Sequence, residues 1–326
     1  MVIHLHFHSR ATGVTKSIES IFPVLSKHTE AAVFGYGIKL PRIGFLSLLK
    51  LVYGRKDTVI HAHRNIELLF ALLLRFTGGR FRLIATRHSD TYPSKYTTFL
   101  LKKADAIISL TRSMSLKLAE PNTIVRHGVD TAVFTPGGKK GIPGVPQSKL
   151  VVVAGRIREA KGQLSVLRSL VPLLRENSDW GLVIIGKIDD KEYADKMVAH
   201  ASETGVSSQV HFIAETRDIA SIYRSATIVV IASLSEGFSL VCLEAPACGI
   251  ITVATEGVGV HSEVLAHGKN GFLFPPGDEP ALRKILSDII GGRATLEPSE
   301  IRQNIIDNWD LEKSVAGLLK VYKPVS

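Results

Sequence analysis

The second half of the chain alternates short apolar runs with longer amphipathic stretches. The short runs are rich in Val and Ile, as buried strands are, and lie at 149–155, 180–186, 210–215, 227–233 and 250–255. Apolar residues recur at helical spacing between them, at 163–177, 191–205, 218–226 and after Gly237. Strands and helices that alternate this regularly predict βαβ units, and therefore a parallel sheet with helices on both faces.

The first half follows the same pattern less regularly. Strands are predicted at 2–8, 58–63, 82–88, 105–111 and 122–128, with a helix at 15–28. Residues 135–148 are rich in Gly and Pro, which is typical of a domain boundary. We expect two doubly wound α/β domains that face a cleft, with ligands beyond the carboxyl ends of the strands. The expected boundaries are an N-terminal domain at 1–136, a linker at 137–148, a C-terminal domain at 149–307 and a last amphipathic helix at 308–322.

Length and composition indicate how many domains the chain forms and in which compartment it works. The chain has 326 residues, too many for one ordinary core, and its 45% hydrophobic and 21% charged residues are typical of a soluble protein. No apolar run is long enough to cross a membrane, and the N-terminus does not resemble a signal peptide. The two cysteines, Cys242 and Cys248, provide neither a disulfide framework nor metal-site spacing. We therefore expect a cytoplasmic protein.

Charge is unevenly divided along the chain. Residues 1–140 hold 21 Lys and Arg against 8 Asp and Glu, a net +13, whereas residues 141–326 hold 19 against 22, a net −3. The first half should attract anionic partners, although solubility alone is an alternative reason for the excess. Within it, the stretch 39–56 combines leucines with flanking cations. It either lies on an anionic membrane surface or, as we favour, packs as a helix on its own sheet.

Two glutamates flank the apolar run at 235–249. Glu236 falls on the turn after a predicted strand, and Glu244 falls within the following helix. A buried carboxylate is costly unless it has a partner, so this segment predicts a binding site. If residues 236–244 were fully helical they would span roughly 12 Å, close to the length of a nucleoside diphosphate. The two glutamates would then hold opposite ends of one activated sugar, with phosphate at the helix start between them.

Two cations follow the strand at 149–155. Arg156 and Lys161 combine a planar fork with a point charge, which suits a diphosphate. Two solvated surface cations are the alternative interpretation.

These segments together resemble a retaining glycosyltransferase of the GT-B fold and the GT4 family. The resemblance rests on ATGVTKS (11–17), TRH (86–88), RHGVDTAVFTP (126–136), GRIREAKG (155–162), EGFSLVCLEAPACG (236–249) and EGVGVHSEVLAHGKNGFLFPPGD (256–278). The spacing from Glu236 to Glu244 matches the family's E-x7-E signature. The chain departs from the family at Pro246, where Met is usual, and at Thr12-Gly13, where Gly-Gly is frequent.

The resemblance implies a role for each matching position. Arg156 and Lys161 would neutralise the donor diphosphate, Glu236 would bind the donor sugar, and Glu244 would bind the ribose. The backbone of Ser239 and Leu240 would meet the phosphates, Gly13 would lie near the diphosphate and acceptor, and His88 would contact the transferred sugar. The resemblance also implies that no metal or other cofactor is needed, and that the reaction occurs on one face of the sugar with the leaving phosphate assisting the incoming hydroxyl. The helix at 308–322 would cross back to the first domain.

A narrower resemblance is to the lipopolysaccharide-core mannosyltransferases of this family. It rests on TGVTKS (12–17), HAHRNIELL (61–69), TIVRHGVD (123–130) and GRIREAKG. It implies GDP-mannose as the favoured donor, an anionic glycolipid or oligosaccharide acceptor, and a place on the inner face of the membrane. The alternatives are a GT4 enzyme with a polysaccharide or small-molecule acceptor, and a nucleotide-sugar epimerase. Nucleic-acid binding is not expected, because the sequence shows no recognisable module for it.

Histidines cluster near the N-terminus. His4, His6 and His8 alternate along one predicted strand and share a face, and His61 and His63 alternate along another. A metal site is one interpretation, and we favour histidines that line the core or the cleft. For His88 the alternative to sugar contact is a buried, hydrogen-bonded histidine.

Overall fold

Two six-stranded parallel sheets organise the chain. The computed structural model describes residues 1–9, 12–55, 57–138 and 141–323. One unit comprises Met1–Asp130 and Trp309–Ser326, and the other comprises Thr131–Asn308. The division places residues 131–148 with the second unit. Ala11 of the N-terminal motif, Lys56 of the stretch 39–56, and Lys139 and Lys140 of the predicted linker lie outside the described residues.

The first unit is a β/α alternation with short connections. Its strands are β1 (Val2–Phe7), β2 (Ala31–Tyr36), β3 (Val59–Ala62), β4 (Arg82–Arg87), β5 (Ala106–Ser109) and β6 (Thr123–Ile124). Its helices are α1 (Gly13–His28), α2 (Phe45–Gly54), α3 (Asn65–Phe76), α4 (Lys95–Leu101) and α5 (Arg112–Leu116). The strand order is β2-β1-β3-β4-β5-β6.

The second unit repeats this plan. Its strands are β7 (Lys149–Ala154), β8 (Trp180–Ile185), β9 (Val210–Ile213), β10 (Ile228–Ile231), β11 (Ile251–Thr255) and β12 (Phe272–Phe274), in the order β12-β11-β10-β7-β8-β9. Its helices are α6 (Gln163–Glu176), α7 (Lys191–Glu203), α8 (Ile219–Ser225), α9 (Val241–Ala247), α10 (His261–Val264), α11 (Glu279–Ile290) and α12 (Pro298–Trp309). The predicted doubly wound α/β class is confirmed.

The two faces of the first sheet are covered by different helices. Leu48 of α2, Leu68 of α3 and Leu100 of α4 share one buried cluster on one face. The last helix, α13 (Leu311–Tyr322), shares the other face with α1 through apolar side chains that include Val315 and Leu25. The end of the chain therefore belongs to the core of the first unit.

The structure differs from the sequence prediction at several elements, and the helices α10, α11 and α12 had not been predicted. β2 and β12 had not been predicted, since β2 is half-exposed at a sheet edge and β12 has only three residues. The single helix predicted at 308–322 is interrupted at Asp310, whose side chain accepts the Glu312 N–H at 2.9 Å and begins α13. No helix within the described ranges has the length and apolar character needed to cross a membrane.

Each sheet has a point where its strand order reverses. In the first unit β2 lies on one side of β1 and β3 lies on the other, and in the second unit β8 and β10 flank β7 in the same way. Loops that leave neighbouring strands in opposite directions open a crevice at their carboxyl ends. The loops after β1, β3, β7 and β10 are therefore the places to look for a site.

Candidate active site

The loops after β7 and β10 are tied together at close range. Gly162 adopts φ 67°, and a Cβ built there would lie 2.2 Å from the Ala232 carbonyl oxygen. The Leu234 N–H also donates to the Ala160 carbonyl at 3.0 Å. Only glycine fits this conformation and this approach. The contact brings Lys161 next to the loop that carries Glu236.

Lys161 and Glu236 form an ion pair at this junction. The Lys161 ammonium donates to Glu236 Oε1, and the two side chains are only 20% and 13% exposed. The Ser233 hydroxyl donates to the same oxygen at 2.7 Å. No donor reaches Glu236 Oε2 from the described part of the chain. The carboxylate is thus held by one oxygen and leaves the other for a ligand.

Arg156 has a different environment. Its guanidinium donates to Asp189 at 3.1 Å, and its side chain is about half exposed. Its backbone carbonyl accepts from the Gln163 amide at 2.9 Å. The predicted pair of cations therefore shares one loop, but each cation has its own acidic partner.

The segment between the two glutamates is not fully helical. α9 begins only at Val241, later than the helix predicted after Gly237, so the condition of a full helix over residues 236–244 is not met. Ser239 takes φ 85°, the one positive φ of a non-glycine residue in the described ranges. The N–H groups of Ser239 and Leu240 have no acceptor among the described residues, and the buried Ser239 hydroxyl has no partner there. The turn displays backbone donors instead of extending the helix.

Glu244 lies in the first turn of α9. The hydroxyl of the buried Tyr223 donates to Glu244 Oε2 at 3.1 Å, and burial together with this carboxylate raises the pKa of Tyr223 well above its usual value. Pro246 sits inside the helix, one residue before its end, which is consistent with a helix of only seven residues. Both cysteines are free and buried.

His261 was quoted within a motif in the sequence analysis but not selected, and it lies within electrostatic range of Glu236 and Lys161. It is fully buried at the start of α10, and its Nδ1 lies 2.9 Å from the Thr255 carbonyl oxygen. Burial lowers its pKa, while the Glu236 carboxylate acts in the opposite direction. Its Nε2 has no partner among the described residues. Its place in the quoted motif at 256–278, which follows the predicted strand at 250–255, was the available signal.

In the first unit, Thr12 and Gly13 form the start of α1. The Thr12 side chain accepts the Thr15 N–H as an N-cap, and it also accepts the Arg64 guanidinium at 2.9 Å. A Cβ at Gly13 would meet no described atom within 4 Å. Thr12, which stands where the family often has Gly, therefore caps α1. The space around Gly13 stays open.

His88 follows β4 and is half-buried. Its Nε2 lies 3.1 Å from Nδ1 of His63, and its ring stacks on His127 at 5.7 Å. Burial, with smaller effects from His127 and Arg64, lowers the pKa of His88 well below its usual value. His88 is therefore a neutral imidazole at neutral pH. His88 is hydrogen-bonded, as one interpretation expected. This hydrogen bond is compatible with the other interpretation, in which His88 also contacts the sugar.

The other histidines of the first sheet extend this pattern. His4, His61 and His63 each bring one ring nitrogen within 4.8 Å of the others, a spacing that a metal ion can bridge. Both nitrogens of His61 already pair with Tyr322 and Thr86, at 2.8 and 2.6 Å. These hydrogen bonds account for His61 without a metal, which favours the core-lining interpretation.

Glu67 is a buried acid that the sequence analysis did not select. One of its oxygens accepts the Phe7 N–H at 3.0 Å, and the other accepts the His63 N–H at 2.7 Å. Burial raises the pKa of its carboxyl. Glu67 therefore joins the carboxyl ends of β1 and β3 and fixes the backbone from which His63 projects. In the sequence, the only indication of this role was that Glu67 follows His63 by four residues, on the next helix.

Comparison with known proteins identifies this architecture. The fold matches that of the HepE protein (Alr3699) of Anabaena, solved in complex with UDP, with a TM-score of 0.83 at 17% identity. The match covers 98% of each chain. The fold is therefore that of the GT-B glycosyltransferases.

Sequence comparison then gives the family. Residues 139–308 match the model of the glycosyl transferases group 1. The chain is 30% identical to the lipopolysaccharide core biosynthesis mannosyltransferase LpcC of Rhizobium leguminosarum bv. viciae, over 98% of this chain and 95% of the relative. It is also 30% identical to LpsB of Rhizobium meliloti (strain 1021), which carries the same description, over 99% and 97%. The chain belongs to the group 1 glycosyl transferases, and it is a glycosyltransferase.

Proposed function

We propose that this enzyme moves a hexose, with mannose favoured, from a nucleotide-diphosphate sugar to a lipopolysaccharide-core or related glycolipid acceptor. The observation that carries the proposal is the nearly full-length similarity to two proteins described as lipopolysaccharide-core mannosyltransferases. GDP-mannose is the favoured donor, and the reaction proceeds with retention and without a metal.

The loops after β7 and β10 are proposed to bind the donor. Lys161 is held by Glu236, which in turn accepts from Ser233, so Lys161 can exchange its carboxylate partner for the donor diphosphate without a change of position. Glu236 Oε2, which takes no described donor, is suited to sugar hydroxyls. The free N–H groups of Ser239 and Leu240 are suited to phosphate oxygens. Glu244 is proposed to bind the ribose, and Arg156 to assist at the diphosphate.

Catalysis in this proposal is positioning and charge stabilisation. The acceptor hydroxyl oxygen bonds to the anomeric carbon while the bond from that carbon to the diphosphate breaks. The hydroxyl proton passes to the departing phosphate oxygen on the same face. Gly13 and His88 of the first unit are proposed to lie near the diphosphate and the transferred sugar, respectively.

The outer surface of α2, α3 and α4 supports a membrane-bound acceptor. α3 is apolar around most of its circumference, and its outward residues Ile66, Leu69, Leu73 and Phe76 are exposed, Phe76 by 90%. Residues 39–103 hold 13 Lys and Arg against 3 Asp and Glu, a net +10. An apolar helix face inside a cationic segment suits an anionic membrane surface. The enzyme is therefore proposed to work at the inner face of the membrane.

A transfer assay tests the proposal directly. The purified chain is incubated with GDP-mannose, UDP-glucose or UDP-galactose, and with core glycolipid, a soluble oligosaccharide or no acceptor. We expect hexose on the glycolipid with GDP-mannose, and an unchanged anomeric configuration by NMR. Activity that is unaffected by EDTA would agree with metal independence. Transfer only to the soluble acceptor would support the other-acceptor alternative, and donor conversion without any acceptor would support an epimerase.

A further inference from the structure

Buried histidines form a polar layer on one face of the first sheet. His4 on β1 lies beside its register partner His61 on β3, and His63 follows on the same side. Residues of α1 and α13 pair with histidines of this region: Thr15 with His6 at 3.0 Å, Ser17 with His127 at 3.0 Å, and Tyr322 with His61 at 2.8 Å. His4 and His63 of this layer are joined to the half-buried His88 in one hydrogen-bonded chain.

The chain runs from His4 through His63 to His88. His4 Nδ1 lies 3.0 Å from His63 Nε2, and His63 Nδ1 lies 3.1 Å from His88 Nε2. Burial lowers the pKa of all three, so each is neutral at neutral pH. A neutral imidazole carries one N–H, which makes it a donor at one nitrogen and an acceptor at the other. The chain therefore has only two possible directions.

The environment of His4, at one end of this hydrogen-bonded chain, determines which of the two directions is favoured. His4 Nε2 is buried and has no partner among the described residues. If His88 donated to His63 and His63 donated to His4, the His4 proton would sit on Nε2 as an orphaned N–H. In the opposite direction, His4 donates from Nδ1 and leaves only a bare acceptor. Orphaned buried N–H groups are the rarer and costlier case.

We propose that His63 is a positioning residue that holds His88 as the Nδ1–H tautomer, so that His88 offers an N–H donor to its ligand. Glu67 fixes the His63 backbone through its N–H at 2.7 Å, which keeps the donating ring in place. A donor at this position recognises an oxygen acceptor, such as a sugar hydroxyl. The ligand role of His88 rests on the proposed function; its tautomer does not.

Nitrogen-15 NMR of the labelled full-length chain tests the tautomer. The His88 signals are assigned from their loss in His88→Gln, and the wild-type spectrum should show protonated Nδ1 and unprotonated Nε2. Protonated Nε2 in the wild type would overturn the proposal, and this measurement needs no folded variant of His63. Signals of His4 and His63 that move when EDTA is added would show a bound metal in place of the chain, which also overturns it.

Variants then test the part played by His63. His63→Phe should let His88 shift toward Nε2–H, whereas His63→Asn places an amide nitrogen near the lost Nδ1 and should restore Nδ1–H. His61→Phe is the matched control, because His61 is equally buried and stacks on His63 at 4.3 Å but pairs with Thr86 and Tyr322. It should leave the His88 tautomer unchanged. A shift in the control, or none in His63→Phe, contradicts the proposal.

Kinetics separates this proposal from the proposed function. His63→Phe should lower kcat/KM about tenfold at constant pH, and His63→Asn should recover most of it. If His88 has the expected tautomer but His88→Gln transfers normally, the ligand role of His88 fails while the positioning by His63 stands. If His88→Gln is inactive but His63→Phe keeps both tautomer and rate, the positioning fails while the function stands.

Discussion

At the scale of single residues, Glu236 and Lys161 show what folding adds to a motif. They are 75 residues apart in the chain, and the structure makes them a partly buried ion pair. The sequence analysis had assigned Lys161 to phosphate and Glu236 to sugar as separate contacts. Their pairing means that each holds the other in place before a donor arrives, and that a change in one alters the environment of both.

Replacing Glu236 with Gln should preserve the fold and remove most transfer. The amide keeps an oxygen for Ser233 and loses the charge that faces the reacting sugar, an interaction of a type worth on the order of 10²–10³ in rate. Initial rates at saturating donor measure it, with the exposed Glu203→Gln as the matched control. Turnover near that of the control would refute the assignment.

Glu244 should respond to substitution in two separable ways. Glu244→Ala removes a ribose contact, so KM for the donor should rise more than kcat falls. It also leaves the buried Tyr223 hydroxyl without its acceptor, at a cost of about 1–3 kcal/mol in the free energy of unfolding. Glu244→Gln keeps an acceptor oxygen and should recover stability but not donor affinity. Equal KM values in all three proteins would remove Glu244 from the donor site.

Residue types were easier to predict from sequence than residue partners. Glu236, Arg156 and Lys161 stand out because polar side chains after strands are conspicuous beside apolar runs. Glu244 stands out as a carboxylate within an apolar helix, and His88 was selected through the resemblance of TRH (86–88). Ser233, Glu67 and the pairing of His63 with His88 were not predictable, since they depend on which strands become neighbours. The N–H groups of Ser239 and Leu240 depend on a backbone turn that periodicity does not encode.

At the scale of elements, the two loop glycines have opposite local environments. Gly162 has positive φ and lies against the Ala232 carbonyl, whereas Gly13 has no described neighbour within 4 Å of a built Cβ. Gly162 is therefore needed by the fold itself. The fold itself does not require glycine at position 13, and close approach of the proposed donor phosphate is the reason that we propose for it.

Alanine at these two glycines should separate folding from binding. Gly162→Ala should push the β7 and β10 loops apart, lower the melting temperature and weaken transfer, because Lys161 no longer reaches Glu236. Gly13→Ala should leave the melting temperature unchanged or slightly raised, since alanine favours the helix, and should weaken donor binding measured by calorimetry. Unaltered donor affinity in Gly13→Ala would place the diphosphate away from α1.

Element prediction succeeded where runs were long and failed at the edges. The central strands β7, β8 and β10 are fully or nearly buried, so their Val and Ile content identified them. β2 contains Gly35 and an exposed Tyr36, and β12 has three residues, so neither gives a clear strand pattern over its observed length. Their pairing in the sheet, and not their composition, makes them strands.

At the scale of the whole molecule, the buried histidines make the first unit sensitive to acid. The pKa values of His4 and His127 are lowered to about 4 by burial, against 6.5 when unfolded. The unfolded chain therefore binds more protons below pH 6.5, so stability is complete above that pH and is lost as pH falls toward 4. These two histidines alone should remove about 3 kcal/mol per pH unit within that window.

Urea unfolding at pH 7, 6 and 5 measures this loss. The chain has two tryptophans, and Trp180→Phe leaves Trp309 as a reporter of the first unit. The urea midpoint reported by Trp309 should fall steeply from pH 6 to pH 5. His4→Phe in the same background should reduce the pH slope by about one proton. A midpoint that is the same at pH 7 and pH 5 would show that these histidines are not buried as neutral groups.

The cations of the first unit and its exposed apolar side chains lie in the same segment of the chain, on and around α2 and α3. Leu48 and Val52 of α2 pack inward, so the part of the stretch 39–56 that forms α2 (Phe45–Gly54) is a helix on its own sheet, as favoured from the sequence, and Phe45, Leu46 and Tyr53 still face outward. The outward residues of α3 continue that surface. The stretch 39–56 alone is therefore too narrow a description of the membrane contact, and the cations and α3 should contribute independently.

Co-sedimentation with anionic vesicles across a salt series tests both contributions. Neutralising Lys50, Arg55 and Lys56 together should weaken binding at low salt about 100-fold, since each cation near such a surface contributes about 1 kcal/mol. Replacing Leu69, Leu73 and Phe76 with Ser should spare the salt-dependent part and remove the binding that persists at high salt. Donor hydrolysis without acceptor should be unchanged in both triple variants, because none of these residues belongs to the proposed donor site. If both variants sediment like the parent, the surface of α2–α4 does not bind membrane, and the positive charge of the first unit serves solubility alone.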